Sequence, residues 1–448
     1  MKLKEFQEQL LQDALNAGFT EVELYYEQKE SFQCMIFEGE IDSYETSEDG
    51  GLGLRGLYNG KMGYSYTEKI DEDSISFLIE SAKANAAILD EDDGSDIFEG
   101  SKNYETHCFY NEELANVQIP EKIELLRSIE EKVRSYDERI VTLDECILYD
   151  FATGRSLANS KGLSLSEKKN GFLIYISTVV KNGEEMKTGS FMKSTRDFHS
   201  LNADEIAKEA AEEALSYLGE KSIPAGKYPI IMRYDAAASL LDTFSSIFSA
   251  ENTQKNQSLL KGKIGEKVAA DTLTLLDDPF HPKNALGGSN FDGEGVATRK
   301  QAIITNGTLV TLLHNRKTAK KESCESTGNA SKASYKGTLS VAAQNMYIAP
   351  GEKSKEDLIA SVAEGILVTK LSGLHSGTNT ISGDFSVAAT GFHIKDGKIA
   401  SPVKQITIAG NFYDLLKNIE ETCSDLHFQQ SGFGSPSLLV KELYVTVD

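Results

Sequence analysis

Apolar positions in the first half of the chain change their spacing several times. Residues 3–17 carry them at the helical interval, whereas over residues 22–36 apolar and polar positions alternate, which predicts strands. A further pair of strands is predicted to open at residues 49–51 and to turn at Asn59-Gly60, where both residues accept positive φ. A helical stripe over residues 71–89 completes a unit predicted as helix, β-meander and helix.

The next segment repeats this change of spacing. Helical spacing covers residues 120–136, and residues 140–191 are strand-like. Asn202 with Glu205 three residues later predicts the capped start of another helix. Turns within the strand-like segment are predicted at Asn170-Gly171 and Asn182-Gly183.

Beyond residue 226 the signals are mainly those of strands. Tyr228–Met232 is a short apolar run typical of a buried strand, and hairpins are predicted at Asn306-Gly307 and Asp396-Gly397. Short helices are predicted to begin at Asp235, Ser354 and Asn411.

These patterns predict an α+β protein of two domains. Residues 1–222 are expected to form a mixed α/β domain with a β-meander, and the acidic run within residues 90–100 is a candidate internal boundary. Residues 223–448 are expected to form a mainly antiparallel β domain, barrel-like or sandwich-like, with a few helices.

Composition narrows the function classes. With 448 residues, 40% hydrophobic and 26% charged, the chain has the make-up of a soluble globular protein. A formal net charge of −23 argues against a nucleic-acid groove, which needs a basic face. No apolar run is long enough for a membrane span, and five scattered cysteines indicate free thiols in a reducing compartment. We therefore expect a cytoplasmic protein without nucleic-acid or membrane partners.

Two stretches invite a functional interpretation. Residues 51–56 match G-x-G-x-x-G, but a hairpin rather than a helix follows them, so the glycines are better explained by a close approach to the sheet than by a dinucleotide. Residues 371–386 are rich in glycine and hydroxyl side chains. They predict equally well a tight loop before a strand or an exposed edge that accepts an extended peptide.

Several segments together resemble the TldD/PmbA family, also called the modulator of DNA gyrase family. Each segment by itself is only weakly diagnostic of the family. Their shared order and spacing over nearly the whole chain make the resemblance strong. The matching segments are residues 51–55, 262–269, 277–278, 291–298, 326–329, 382–385 and 402–411.

The resemblance implies a dimer whose active member is a zinc metallopeptidase acting on unfolded peptides within a TldD–TldE heterodimer. In that member a His-Glu-x-x-x-His helix and a cysteine near the C-terminus hold the zinc. Here the corresponding helix, Leu241–Ser249, contains neither histidine nor glutamate, although Cys423 falls where the family's cysteine ligand is expected. This pattern is similar to the PmbA/TldE branch.

The expectation from the resemblance is a subunit that binds no cofactor, with zinc in a TldD-type sister subunit. Candidate peptide-binding residues in or near the matching segments are Glu294, His314, Asn329, His375, Ser382 and Asp384. Two alternatives stay open. One is a self-sufficient hydrolase that combines a histidine and a carboxylate from this set with Cys423, and the other is a homodimeric peptide-binding scaffold.

Overall fold

The computed structural model describes residues 2–88 and 94–447. Most of the acidic run proposed as an internal boundary, residues 90–93, lies outside this part of the chain. The N-terminal helices are α1 (Leu3–Asn16), α2 (Glu72–Ile88), α3 (Glu112–Ala115), α4 (Ile119–Tyr136) and α5 (Ala203–Ser216). The N-terminal strands are β1 (Phe19–Phe37), β2 (Glu40–Tyr58), β3 (Lys61–Thr67), β4 (Ile140–Asn159), β5 (Ser164–Asn182) and β6 (Glu185–Thr195).

The six N-terminal strands form one antiparallel sheet in the order β3-β2-β1-β4-β5-β6. Alternation along β1 places its even-numbered side chains on one face. Val22 and Leu24 pack with α1 and α2, and Phe32 and Ile36 pack with α4 and α5. The four long helices therefore cover the same face of the sheet and leave the opposite face free of these helices.

The turns predicted at asparagine followed by glycine in the N-terminal part divide in an informative way. Asn59-Gly60 and Asn182-Gly183 do join consecutive strands, with φ of 50° at Asn59 and 61° at Gly183. Asn170-Gly171 lies instead inside β5, so that turn prediction is wrong. The strand predicted to open at residues 49–51 begins earlier, because β2 starts at Glu40. These glycines continue strands of 19 residues, in which their missing side chains make room for neighbouring groups.

The C-terminal part adds short helices and many short strands. Its helices are α6 (Tyr234–Phe244), α7 (Ala250–Gln254), α8 (Arg316–Glu322), α9 (Lys355–Ala360) and α10 (Phe412–Lys417). Its first strands are β7 (Gly226–Met232), β8 (Leu275–Asp277), β9 (Gln301–Thr305), β10 (Thr308–Leu309), β11 (Ala330–Ser331), β12 (Ser340–Val341) and β13 (Met346–Ile348). The remaining strands are β14 (Glu364–Ser372), β15 (Asp384–Lys395), β16 (Lys398–Pro402), β17 (Ile406–Asn411), β18 (Ile419–Thr422), β19 (His427–Phe428), β20 (Gly434–Ser435) and β21 (Leu438–Val447).

Five of these strands close a barrel in the order β14-β7-β21-β17-β15, with β15 pairing back onto β14. The pairs within it are antiparallel apart from β7 and β14, which run parallel. A second sheet has the order β10-β9-β8-β13-β20-β19, and β11 pairs with β12. The α+β prediction with a barrel-like, mainly antiparallel C-terminal part is confirmed.

Helix α6 packs on one face of the barrel wall. Its apolar side, including Leu240, Leu241 and Phe244, shares a core with Ile230 and Met232 of β7. The predicted helix start at Asp235 is displaced, because Arg233 occupies the N-cap position. The side chain of Asp235 accepts the N–H of Ala236 and pairs with Arg233. By contrast, Ser354 and Asn411 cap α9 and α10 as predicted.

The uncovered face of the N-terminal sheet meets the C-terminal part at one end of its long strands. Tyr25 and Leu157 from the sheet form a small buried cluster with Phe291 and Tyr335. The G-x-G-x-x-G stretch lies in β2 beside this cluster. A Cβ at Gly51 would overlap the Tyr335 ring, and one at Gly53 would overlap the Tyr335 carbonyl oxygen. The prediction that these glycines admit a close neighbour is confirmed.

The substitution Gly53→Ala tests how strongly this contact holds the two parts together. The added methyl group must displace backbone, so we expect a loss of about 1 to 3 kcal/mol in the free energy of unfolding, measured by chemical denaturation. Gly154→Ala in the same sheet is the matched control, since its Cβ would lie 3.8 Å from the nearest atom. Equal effects of the two substitutions would contradict the proposed tight contact.

Candidate functional site

Helix α6 turns a polar face away from the core. Ser239 Oγ donates to the carbonyl of Asp235 at 2.9 Å, and Thr243 Oγ1 donates to that of Ser239 at 2.8 Å. Gln429 lies over this face and donates from Nε2 to the Asp235 carbonyl at 2.7 Å and to Ser239 Oγ at 2.8 Å. Hydrogen bonds within the chain therefore occupy much of this surface.

Asp242 is the carboxylate in the second half of α6. Burial raises the pKa of Asp242, although a hydrogen bond with the Ser431 side chain acts in the opposite direction. Its neighbours on the helix are hydroxyl and apolar residues, which are poor ligands for zinc compared with imidazole and thiolate. Within residues 2–88 and 94–447, no three His, Cys, Asp or Glu side chains are grouped as metal ligands. The residues present at α6 do not fit a zinc site.

Cys423 lies on the other side of the barrel wall from α6. Its buried side chain packs with Ile231, Leu367 and Leu439, whereas α6 packs with the alternate residues of the same strands, such as Ile230. The Cys423 thiol donates to the carbonyl of Ser354, and burial raises its pKa to about 12. Cys423 thus behaves as a small core residue and does not meet the polar face of α6.

A buried ion network lies where the N-terminal sheet meets the C-terminal part. Arg55 donates to both carboxylate oxygens of Glu23, at 2.7 Å and 3.0 Å, and both side chains are almost fully buried. Glu294 lies 3.7 Å from Arg55, and Lys332 lies 3.6 Å from Glu23. Burial lowers the pKa of Lys332 to about 8, against the opposing attraction of Glu23. Two cations and two carboxylates therefore compensate one another inside the molecule.

Asp292 organises the loop that carries Glu294. Its carboxylate accepts the N–H groups of Glu294 and Val296 at 2.9 Å and that of Ala330 at 3.0 Å. Burial, followed by repulsion from Glu294, raises the pKa of Asp292. Glu294 in turn accepts the N–H of Arg316 at the start of α8. Of the candidate residues, Glu294 consequently connects the ion network to α8.

His314 and Asn329 belong to an adjoining buried network. Asn329 donates to Asp277 at 2.7 Å and accepts from Thr327 at 2.7 Å, and Thr327 Oγ1 also accepts the N–H of His314 at 2.6 Å. Because these hydrogen bonds are buried, they fix the local backbone, whereas Nδ1 of His314 has no hydrogen-bond partner within the described residues. The structure thus brings Glu294, His314 and Asn329 into one region, where each forms hydrogen bonds with neighbouring groups of the chain.

His314 also approaches a thiol. Its Nε2 lies 3.8 Å from Cys324 Sγ and 3.8 Å from a carboxylate oxygen of Glu322. Burial lowers the pKa of the imidazole and raises that of the Cys324 thiol. Both shifts favour the neutral pair over the thiolate and imidazolium that nucleophilic catalysis requires.

The other three candidates lie in the loop between β14 and β15. Ser382 donates to Asp384 at 2.7 Å, and Asn411 donates to the second oxygen of Asp384 at 2.9 Å, while His375 is exposed. Thr378 pairs with Phe385, and the N–H of Ser386 donates to Gly377. The loop covers its own strand, so the tight-loop interpretation of residues 371–386 is the one the structure supports. Among the described residues, no hydrogen bond joins this loop to His314 or Glu294.

Two concave regions border the contact between the parts. The larger, about 1500 Å³, lies between β2–β3, the segment after residue 94 and α8, and Glu294 and Cys324 are on its wall. The smaller, about 360 Å³, is a cleft between the sheet and the C-terminal loops. Its lining includes Lys169, Lys332, Gly287, Gln430 and Ser431. Ser431 on its wall also forms a hydrogen bond with Asp242, which connects this wall of the cleft to the polar face of α6.

The sequence interpretation missed the residues that line this cleft. Lys169 and Glu167 alternate along β5 with residues facing the helices, a pattern that resembles an ordinary solvent face. Arg55 carried a clearer signal, because it is a lone charge within the apolar stretch that ends β2. Without the fold, no rule of spacing would bring these strands to residues 286–289 or 430–432.

Known proteins are similar to this chain over most of its length. Family models described as the PmbA/TldA metallopeptidase domain 1, central domain and C-terminal domain match residues 22–86, 112–218 and 225–447. A metalloprotease PmbA homolog of Buchnera aphidicola is 28% identical over 439 residues, covering 95% of this chain and 93% of the relative. A TldD homolog of the same species is 25% identical and covers 89% of this chain and 86% of its own length.

Solved structures agree over the same length. A Thermotoga maritima protein with a suggested role as modulator of a DNA gyrase is 34% identical, with a TM-score of 0.92 over 99% of this chain and all of that one. TldE from Thermococcus kodakarensis is 25% identical, with a TM-score of 0.90 over 98% of this chain and 100% of the other. No helix in the described part of this chain combines the length and apolar character needed to cross a membrane.

The ion network predicts a large cost for losing its guanidinium. Arg55→Met leaves Glu23 and Glu294 buried with Lys332 alone to compensate them, so we expect the free energy of unfolding to fall by about 3 to 5 kcal/mol. Arg139→Met removes an exposed guanidinium paired with Asp137 and should cost less than about 1 kcal/mol. Chemical denaturation of both variants checks this, and similar losses in the two would contradict the role given to Arg55.

Proposed function

The chain belongs to the PmbA/TldD family of metallopeptidases, and we propose that it acts there as a peptide-binding subunit without its own catalytic centre. In this proposal it works in the cytoplasm, paired with a TldD-type sister subunit that holds the zinc. Its own contribution is to bind and orient an unfolded peptide beside the shared site. The substrate is an unfolded peptide because that is the substrate class implied by the resemblance.

The observation that carries the proposal is the composition of the polar face of α6. This helix keeps its packing against the barrel wall, and the hydroxyls of Ser239 and Thr243 bond to its own backbone. Asp242 alone cannot supply the three protein ligands typical of a catalytic zinc. Cys423, which the resemblance suggested as a further ligand, faces the opposite side of the wall.

The open end of the N-terminal sheet supports a partner subunit. Beyond the contact with the C-terminal part, the face opposite the helices carries Met35, Ile147, Tyr149, Phe151 and Tyr175, all partly exposed. Cross-strand pairing places Met35 beside Ile147 and Ile147 beside Tyr175, so these side chains form one continuous patch. An apolar patch of this kind is typical of a protein–protein contact.

The hydrolase alternative finds less support in the geometry. It needs a histidine poised beside a carboxylate or an activated thiol, whereas His314 is 2% exposed and Cys324 favours the neutral thiol. His375 is exposed, but the carboxylate of Asp384 is already engaged by Ser382 and Asn411. The homodimeric scaffold shares the peptide-binding role and differs in needing no sister subunit.

The proposal is tested with the full chain, a TldD-type sister and their mixture. Each preparation is analysed for zinc by mass spectrometry and for hydrolysis of an unfolded peptide. We expect no stoichiometric zinc and no hydrolysis with this chain alone, and zinc-dependent hydrolysis with the mixture. Zinc bound one to one and hydrolysis by this chain alone would refute the proposal, and failure to associate with the sister would favour the homodimeric scaffold.

A variant separates the hydrolase alternative directly. His375→Ala should leave hydrolysis by the mixture unchanged, because His375 is an exposed loop residue. His199→Ala, another exposed histidine, is the matched control. Loss of activity in the first variant but not in the second would revive the hydrolase that uses His375.

A further inference from the structure

The cleft between the sheet and the C-terminal loops contains a lysine that the fold leaves unpaired. Lys169 lies on β5 opposite Thr153 of β4, one row along from the cross-strand pair of Arg155 and Glu167. It is partly buried and lines the cleft. Across the described chain, no hydrogen bond or ion pair reaches Lys169 Nζ.

Arg155 and Lys332, two other cations of the cleft, have carboxylate partners, whereas Lys168 lines the cleft as an exposed side chain. Arg155 pairs with Glu167 at 2.8 Å, and Glu167 also accepts from Ser289 Oγ and from the N–H of Asn290, each at 2.8 Å. Lys332 has Glu23 as its partner. These pairs leave the cleft with a positive charge at Lys169 that no carboxylate within residues 2–88 and 94–447 neutralises by direct contact.

Glu27 is the remaining carboxylate near this lysine. Burial raises its pKa, and the N–H of Tyr335 is its hydrogen-bond donor, so the fold holds it against the C-terminal part. Burial in the cleft, followed by repulsion from Arg155, lowers the pKa of Lys169. An ammonium that has lost water without gaining a partner is stabilised by any anion that can enter.

We propose that Lys169 binds the C-terminal carboxylate of an extended peptide whose preceding residues run along the cleft toward the polar face of α6. This inference rests on the proposed role as a peptide-binding subunit and adds the part of the peptide that is recognised. The cleft volume of about 360 Å³ suits the last residues of a chain rather than a folded ligand.

The walls of the cleft fit a peptide main chain. Gly287, Gly288 and Gly432 contribute wall without side chains, and the exposed Gln430 and Ser431 offer polar groups beside them. Ser431 also contacts Asp242, which sets the direction from Lys169 toward α6. The one partly buried lysine of the cleft without a carboxylate partner among the described residues, Lys169, matches a monoanionic carboxylate, whereas a phosphate dianion would also face Glu27 and Glu167.

The test compares two peptides of one sequence without Asp or Glu, one ending in a free carboxylate and the other in an amide. Their affinities for the complex of this chain with its sister, inactivated by zinc removal, are measured by fluorescence anisotropy. Because a hydrogen bond to a charged group is worth about 1.5 to 3 kcal/mol, the free acid should bind roughly tenfold tighter or more.

Variants assign that preference to the lysine. Lys169→Met should bring the affinity of the acid down to that of the amide and leave the amide unchanged, whereas Lys169→Arg should retain the preference. Lys181→Met, at the exposed end of the same strand, removes the same charge outside the cleft and should change neither affinity. Circular dichroism of each variant verifies the fold, and the comparison of acid and amide on the unaltered protein does not depend on any variant.

The outcomes distinguish failure of the carboxylate inference from failure of the proposed peptide-binding function. Equal binding of acid and amide overturns the carboxylate inference and leaves the peptide-binding subunit standing. Binding of neither peptide overturns the proposed function together with the inference. A third peptide, amidated but carrying one glutamate, should bind like the neutral amide. If it binds as tightly as the acid, the C-terminal assignment is overturned in favour of an acidic side chain.

Discussion

The arrangement of the molecule depends on the buried guanidinium of Arg55. A charge taken out of water must be compensated at once, and Glu23 does so with two hydrogen bonds from the neighbouring strand. Glu294 reaches the same guanidinium from the C-terminal part, and Lys332 balances Glu23. The two parts of the chain therefore complete one electrostatic unit, and the glycines of β2 let Tyr335 lie directly on the sheet beside it.

This contact divides the uncovered face of the sheet into two regions. Near Arg55 the face is covered by the C-terminal part, and farther along the same strands it is open and partly apolar. The cleft containing Lys169 lies at the border between these regions. There the cross-strand pair of Arg155 and Glu167 is followed by the pair of Thr153 and Lys169, in which the lysine faces no opposite charge. A peptide bound there would be held by groups whose positions are fixed by the buried network rather than by mobile loops.

Periodicity was sufficient to predict most helices and the long N-terminal strands, because each buries a continuous face. It failed at Asn170-Gly171, where a turn sequence runs through a strand, since local preference yields to pairing on both sides. The order of segments was sufficient to indicate the family. The position of Cys423 in the sequence did not show on which face of the barrel wall its thiol would be buried. Likewise Lys169 and Arg155 become a site only when residues 286–289 and 430–432 fold over them.

The same reasoning explains why α6 is required although its polar face does not fit a zinc site. Its apolar side fills the core with Ile230 and Met232, so the helix is required for packing whatever its polar face contains. Gln429 bonds to that face, and Ser431 joins Asp242 to the cleft wall. The helix is thereby connected to the cleft wall that carries Ser431, and Lys169 lines the same cleft. In the proposed role the chain would need no metal to select and align a peptide, because alignment requires only a fixed wall and a fixed charge.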